Sequence, residues 1–186
     1  MASEIKFGTD GWRAVMCDAF TFANVRLVIQ AIADHVIEND MGDRGVLVGY
    51  DARFLSPGFA DVAAEVLAAN GIPTLITDRD TPTPVVAFTV ADRSLAGAVM
   101  FTASHNPPEY NGYKVYDQFG GQVVQDADKI IEKINQVKLE DIKSAESDGN
   151  SKIQIIGDDL DTSYINQIKR LSLRNDVDKD IRIVFT

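Results

Sequence analysis

Ser104, His105 and Lys114 fall within one short stretch, TASHNPPEYNGYKVY (102–116). A serine hydroxyl can attack as a nucleophile or carry a phosphoryl group, and a histidine and a lysine beside it can move protons or neutralise developing charge. The run before it, LAGAVMFTA (95–103), is small and apolar and predicts a buried strand. Ser104 thus sits where a strand empties into an irregular loop, a common address for chemistry in α/β folds. Pro107 and Pro108 fix two φ angles and bias Asn106 toward extended backbone, which stiffens the loop. Asn111-Gly112 predicts a turn into a second strand over 113–116.

Two chemistries compete for these residues. A Ser-His-Asp hydrolase also needs serine and histidine. Neighbouring side chains on an extended segment point to opposite sides, so His105 is expected to turn away from Ser104. The second histidine, His35, falls in a strongly helical stretch (22–39) that reads as packing, and no G-x-S-x-G elbow surrounds Ser104. Phosphoryl chemistry fits better. A phosphoserine is dianionic, and Lys114, His105 and a distant arginine can neutralise its oxygens during transfer. Taken singly, each residue has a plainer reading: Ser104 as a turn or capping serine, Lys114 as a solvated strand residue, Arg13 as a surface partner of Asp10 or Asp18. Asp51 and Arg53, at the end of VLVGY (46–50), read as organising the loop rather than reacting. The glycines of GTDGWR (8–13) have neither dinucleotide-binding nor P-loop spacing.

The motifs together outweigh the single residues. TASHNPPEYNGYKVY resembles the phosphoserine loop of the α-D-phosphohexomutases, the superfamily of phosphoglucomutase and phosphomannomutase. FGTDGWR (7–13) resembles that family's opening motif and GYDAR (49–53) the strand-end motif of its first domain, in the same order along the chain. The resemblance implies a three-layer α/β/α sandwich with a mixed, largely parallel sheet. It implies that Ser104 is the phosphoserine, which gives its phosphoryl group to a hexose phosphate and recovers one from a bisphosphate intermediate. A hexose 1,6-bisphosphate is then the activator. Lys114 matches the family's proton-transfer and charge-stabilising lysine, and His105 a histidine that helps hold substrate and phosphoryl group. Asn106 joins them in binding phosphate, and Arg13 matches an arginine that reaches the phosphoserine. A Mg2+ ion is implied on Ser104, through its phosphate.

The family's other metal ligands lie in a D-G-D-x-D-R motif, and this sequence has none. Asp158-Asp159 and the pair Asp178 and Asp180 lack its Gly and Arg, and Asp158 and Asp159 suit the start of a helix over 160–171. The expected organisation is a first domain over 1–140, a polar linker over 141–157 and the first elements of a second domain over 158–186. That last part ends in an apolar strand, IRIVFT (181–186). The implied partners are then the family's second to fourth domains, and the chain alone is expected to be inactive. A non-catalytic module on the same fold, recognising a phosphosugar or a protein, is the alternative. An intact Ser104, His105 and Lys114 argue for the enzyme.

The elements that must position these residues alternate along the chain. Thr21 suits the cap of a helix with Phe22, Val25, Ile29, Ile32 and Val36 at helical spacing, and VLVGY is a short buried strand. Ser56-Pro57 starts a helix that Gly71 stops, a strand follows over 73–77, and helices follow over 85–92 and 126–137. This β-α-β-α-β order predicts a largely parallel sheet with helices on both faces. The 186 residues, 45% hydrophobic and 25% charged, suffice for one well-buried α/β domain. A formal net charge of -10 argues against nucleic acid and anionic membranes as partners, so any anion site must be a local basic focus such as Arg13, Lys114 and His105. A single cysteine, Cys17, and the lack of a signal-like or transmembrane-length run lead us to expect a cytoplasmic location.

Overall fold

The computed structural model describes residue 5 and residues 11–123, 127–144, 152–174 and 180–185. Its elements run β1 (Trp12–Val15), α1 (Phe22–Glu38), β2 (Val46–Tyr50), α2 (Ser56–Ala69), β3 (Thr74–Thr77), α3 (Thr83–Asp92), β4 (Gly97–Phe101), β5 (Tyr110–Tyr116), α4 (Ala127–Gln136), β6 (Ile153–Ile156) and α5 (Asp158–Arg170). The strands form one sheet in the order β1-β5-β4-β2-β3-β6. Strands β4, β2, β3 and β6 run parallel, and β5 runs antiparallel to both β4 and β1. The sheet is mixed and largely parallel, as expected.

Local chemistry accounts for much of this. Thr21 caps α1, its Oγ1 accepting from the Asn24 N–H at 3.2 Å. Gly71 takes a φ of +85° just past α2, the left-handed turn that ends a helix. The sheet buries both faces. Val46, Val48, Val99, Phe101, Tyr113 and Val115 pack toward α1, α2 and α4, whereas Leu47, Ala98, Met100 and Tyr116 pack toward α3 and α5. On the first face the rings of Trp12 and Phe20 (centroids 4.7 Å apart), Phe20 and Phe59 (4.8 Å), and Trp12 and Tyr113 (5.9 Å) tie β1 to the core.

Three expectations are corrected. Asn111-Gly112 lies inside β5, paired with Ala14 and Arg13 of β1, because the Asn111 side chain is committed to buried partners rather than to a turn of its own. Within the expected linker, Ile153–Ile156 add to the sheet as β6, where they pair the open edge of β3, and α5 then packs on α3. Residues 145–151 lie outside the described residues. Residues 181–185 form no strand, and Ile181, Ile183, Val184 and Phe185 are exposed. An apolar run becomes a strand only where a neighbour takes its backbone hydrogen bonds, and among the described residues none lies beside it. Thr186 and Asp178 fall outside the description.

Candidate functional site

The loop between β4 and β5 is built from two consecutive turns. The Asn106 N–H donates to the Ala103 carbonyl at 3.0 Å, and the Tyr110 N–H to the Pro107 carbonyl at 3.0 Å. Ser104 occupies the first turn with a φ of +55°, a left-handed state uncommon for a residue with a Cβ. Its N–H donates to Thr102 Oγ1 at 3.0 Å, and its side chain is exposed. Because the backbone turns here, His105 does not point away. Ser104 Oγ and His105 Nδ1 stand 3.4 Å apart, so the expectation of opposite sides, which assumed an extended segment, is corrected. This long contact does not make a triad, since among the described residues no carboxylate orients the other nitrogen of His105.

Strand β1 delivers Arg13. It stands opposite Gly112 of β5, where a Cβ would lie 2.9 Å from Arg13 Cγ and 2.5 Å from the Trp12 carbonyl oxygen. The bare glycine therefore gives the arginine room to cross the strand. Arg13 Nη1 donates to Asn106 Oδ1 at 3.2 Å. Lys114 lies two residues along β5 from Gly112, which places it on the same sheet face as Gly112 and Arg13. The fold thus gathers Ser104, His105, Asn106 and Arg13 at the C-terminal end of β4, with Lys114 on the adjoining strand.

Sequence reasoning missed the frame that holds this loop. Arg53 does organise a loop, but the one bearing Ser104 rather than its own. Arg53 Nη2 donates to the carbonyls of Ser104 (2.9 Å) and Asn106 (2.6 Å), and Nη1 to those of Pro107 (2.9 Å) and Tyr110 (2.9 Å). Its Nε lies 3.5 Å from Asp51 Oδ2. Asp51 Oδ1 accepts from the Arg53 N–H and from Ser56 Oγ, each at 3.0 Å. Buried Asn111 then donates to Ser56 Oγ at 2.9 Å and to the Phe54 carbonyl at 3.2 Å, and its Oδ1 accepts from the Gly112 N–H at 2.8 Å. The available signal was the parallel pairing of β2 with β4, which brings the two strand ends side by side.

Charge divides across this end of the sheet. On the side of β4, β5 and β1 stand Arg13, Arg53, Lys114 and His105, with Asp51 paired to Arg53 and exposed Glu109 as counter-charges. On the β2–β3 side burial pushes the Tyr50 hydroxyl up, and the charges of Asp61, Asp78 and Asp80 add to the effect. Among the described residues, no group of three or more His, Cys, Asp or Glu side chains could hold a metal ion. A cavity of about 440 Å³ opens at the opposite end of the sheet, lined in part by His35, Val46, Gly97, Tyr116 and Phe119, so His35 is remote from Ser104. No helix among the described residues is long and apolar enough to cross a membrane.

The family model described as phosphoglucomutase/phosphomannomutase, alpha/beta/alpha domain I, matches residues 4–141. The chain belongs to this family. The phosphoglucomutase of Staphylococcus saprophyticus is 32% identical over 98% of this chain and 34% of its own length. Human phosphopentomutase is 30% identical over 98% of this chain and 32% of its own length. A crystal structure assigned to a phosphomannomutase of Thermus thermophilus matches with a TM-score of 0.77 at 34% identity, covering 91% of this chain and 36% of that one. The chain spans about a third of the length of these relatives.

Proposed function

We propose that this chain is the phosphoserine-bearing domain of a phosphohexomutase, with Ser104 passing a phosphoryl group to and from a hexose phosphate. One observation carries the reading: three motifs far apart in sequence converge on one loop. Arg13 of the opening motif bonds Asn106, Arg53 of GYDAR bonds four loop carbonyls, and the loop leaves the Ser104 side chain exposed. Membership of a family of named phosphomutases supports it.

In the proposed transfer the Ser104 Oγ–P bond breaks as a sugar hydroxyl oxygen forms a new bond to phosphorus. The hydroxyl gives up its proton and Oγ gains one, with Lys114 as the proton-transfer group. The bisphosphate then returns its other phosphoryl group to Ser104 by the reverse exchange. Arg13, Asn106 and His105 hold phosphate oxygens, and positioning with charge neutralisation supplies most of the catalysis. Magnesium on the phosphoserine is part of the proposal. Among the described residues the side chains around Ser104 do not form a metal site on their own, and the ion's further ligands are proposed to come from sequence outside this chain. The end of the family match at residue 141 supports a first domain over 1–140, which β6 and α5 extend. Relatives named for glucose, pentose and mannose phosphates share this domain, which supports assigning sugar selection to regions outside the loop.

Intact-mass spectrometry after prolonged incubation with glucose 1,6-bisphosphate and Mg2+ tests the reading. One added phosphoryl group on the wild-type chain, absent from Ser104→Ala, is the expected result. No label on a folded chain, or a label elsewhere, would overturn it and favour the non-catalytic module.

A further inference from the structure

The Ser104 loop has an accounting problem that a single side chain solves. Its two turns direct four carbonyl oxygens, those of Ser104, Asn106, Pro107 and Tyr110, toward one point. Pro107 and Pro108 carry no N–H, and of the four carbonyls only that of Pro107 meets a donor from the loop itself, the Tyr110 N–H, among the described residues. The Arg53 guanidinium meets all four. Nη2 takes the two carbonyls of the first turn and Nη1 the two of the second turn. Asp51 fixes the plane of the group from the other side, with Nε 3.5 Å from Oδ2, and the arginine side chain is only 15% exposed. Both ends of this frame hold unfavourable backbone: Ser104 has a φ of +55° and Leu55, two residues past Arg53, a φ of +62°. Such angles persist in L residues only where the surroundings over-determine them.

We propose that Arg53 is a positioning residue for Ser104, whose planar fork locks the two turns and so holds Ser104 in the left-handed state that exposes its hydroxyl. The importance of this for phosphoryl transfer rests on the function proposed above; the lock itself does not. Lysine cannot substitute, because one ammonium with three donors cannot address four carbonyls arrayed around a plane. The same geometry makes Asp51 an accessory that orients Arg53.

The test uses the 186-residue chain as wild type, Arg53→Lys and Arg53→Gln. Nuclear magnetic resonance gives the Ser104 amide-to-α-proton coupling and amide exchange through residues 103–110, with the β2 and β4 amides as internal control. In both variants we expect the left-handed signature of Ser104 to disappear and loop exchange to rise by about tenfold or more, while the sheet amides keep wild-type protection. A loop that keeps its coupling and protection in Arg53→Lys would overturn the requirement for the fork. Loss of protection spread equally over β2 and β4 would make Arg53 a general stabiliser and also overturn the proposal. Arg53→Lys retains charge and size, so it reports on the lock even if Arg53→Gln does not fold. In parallel, Ser104 labelling by glucose 1,6-bisphosphate should slow by at least about tenfold in Arg53→Lys. Failure of the wild-type chain to take label would count against the mutase reading, and the coupling and exchange data would still decide for or against the lock.

Discussion

At Ser104 the proposed chemistry and the stability of the fold come apart. The side chain is exposed, its side-chain contact is the 3.4 Å approach to His105, and its backbone is left-handed. Ser104→Ala is therefore expected to change unfolding free energy by no more than about 0.5 kcal/mol. Ser104→Gly should be the more stable of the two by roughly 0.5 kcal/mol, because relief of the left-handed strain exceeds the added chain entropy. Both variants should take no phosphoryl label, and in any longer form of the protein the loss should fall on kcat. Thermal melts beside the labelling assay check this, and a large drop in Tm for both would recast Ser104 as a structural residue. The place of Ser104 at the end of β4 was legible from the apolar run before it. Its left-handed backbone was not, because that state is imposed by Arg53, fifty-one positions away, and no local preference of serine announces it.

Among the elements, those defined by their own period and caps were legible. VLVGY, the Thr21-capped α1 and the Ser56–Gly71 span of α2 stand as read, since apolar spacing and end residues are local properties. Asn111-Gly112 was misread because its decisive partners, Ser56 and Phe54, are local only in space. Removing the Asn111 amide leaves buried Ser56 Oγ and the Gly112 N–H short of partners, so Asn111→Ala should cost about 1–3 kcal/mol by denaturant unfolding. Ile153–Ile156 escaped notice because a four-residue strand beside a polar stretch carries little pattern. Its successor α5 is tethered to the end of α3 by Arg93 and Asp159. Partial burial works to raise the Asp159 carboxyl, but the Arg93 hydrogen bond and charge outweigh it and leave it below the ordinary aspartate value. A lowered carboxyl contributes stability above the unfolded-state value of about 3.9, and that contribution disappears as pH falls through the folded-state value. Because the pair is largely exposed, Asp159→Asn should cost only a few tenths of a kcal/mol at pH 7 and less at pH 2. Equal penalties at both pH values would show that the pair acts through packing instead.

For the whole molecule, the open placement of the site sets the expectation. Residues 1–186 should unfold cooperatively yet show no measurable conversion of glucose 1-phosphate to glucose 6-phosphate in a coupled assay with added bisphosphate and Mg2+. Transfer depends on a water-poor, preorganised surround, and loss of one electrostatic contact costs roughly 10²–10³ in rate. The Ser104 loop is solvent-exposed, and the described side chains near it supply no metal cluster. Robust turnover would show the site to be self-contained. Buried Tyr113 makes a second global expectation: burial raises its phenol well above the ordinary value, so its contribution is intact below about pH 10 and is lost as pH climbs toward the folded-state value. Tyr113→Phe should therefore flatten the alkaline fall in stability, as followed by circular dichroism.

The neighbour of Arg13 offers a spectroscopic consequence. Trp12 is the chain's single tryptophan, 3% exposed and packed on Phe20 and Tyr113. Its strand has one partner in the sheet, β5, so the arm carrying Arg13 closes a chain loop of about a hundred residues when Trp12 meets Tyr113. Emission from this one indole is thus an intrinsic gauge of whether the arginine has arrived, with no label needed. A red shift that precedes the loss of far-ultraviolet ellipticity in urea would reveal a species with its central sheet intact and the Arg13–Asn106 contact already undone.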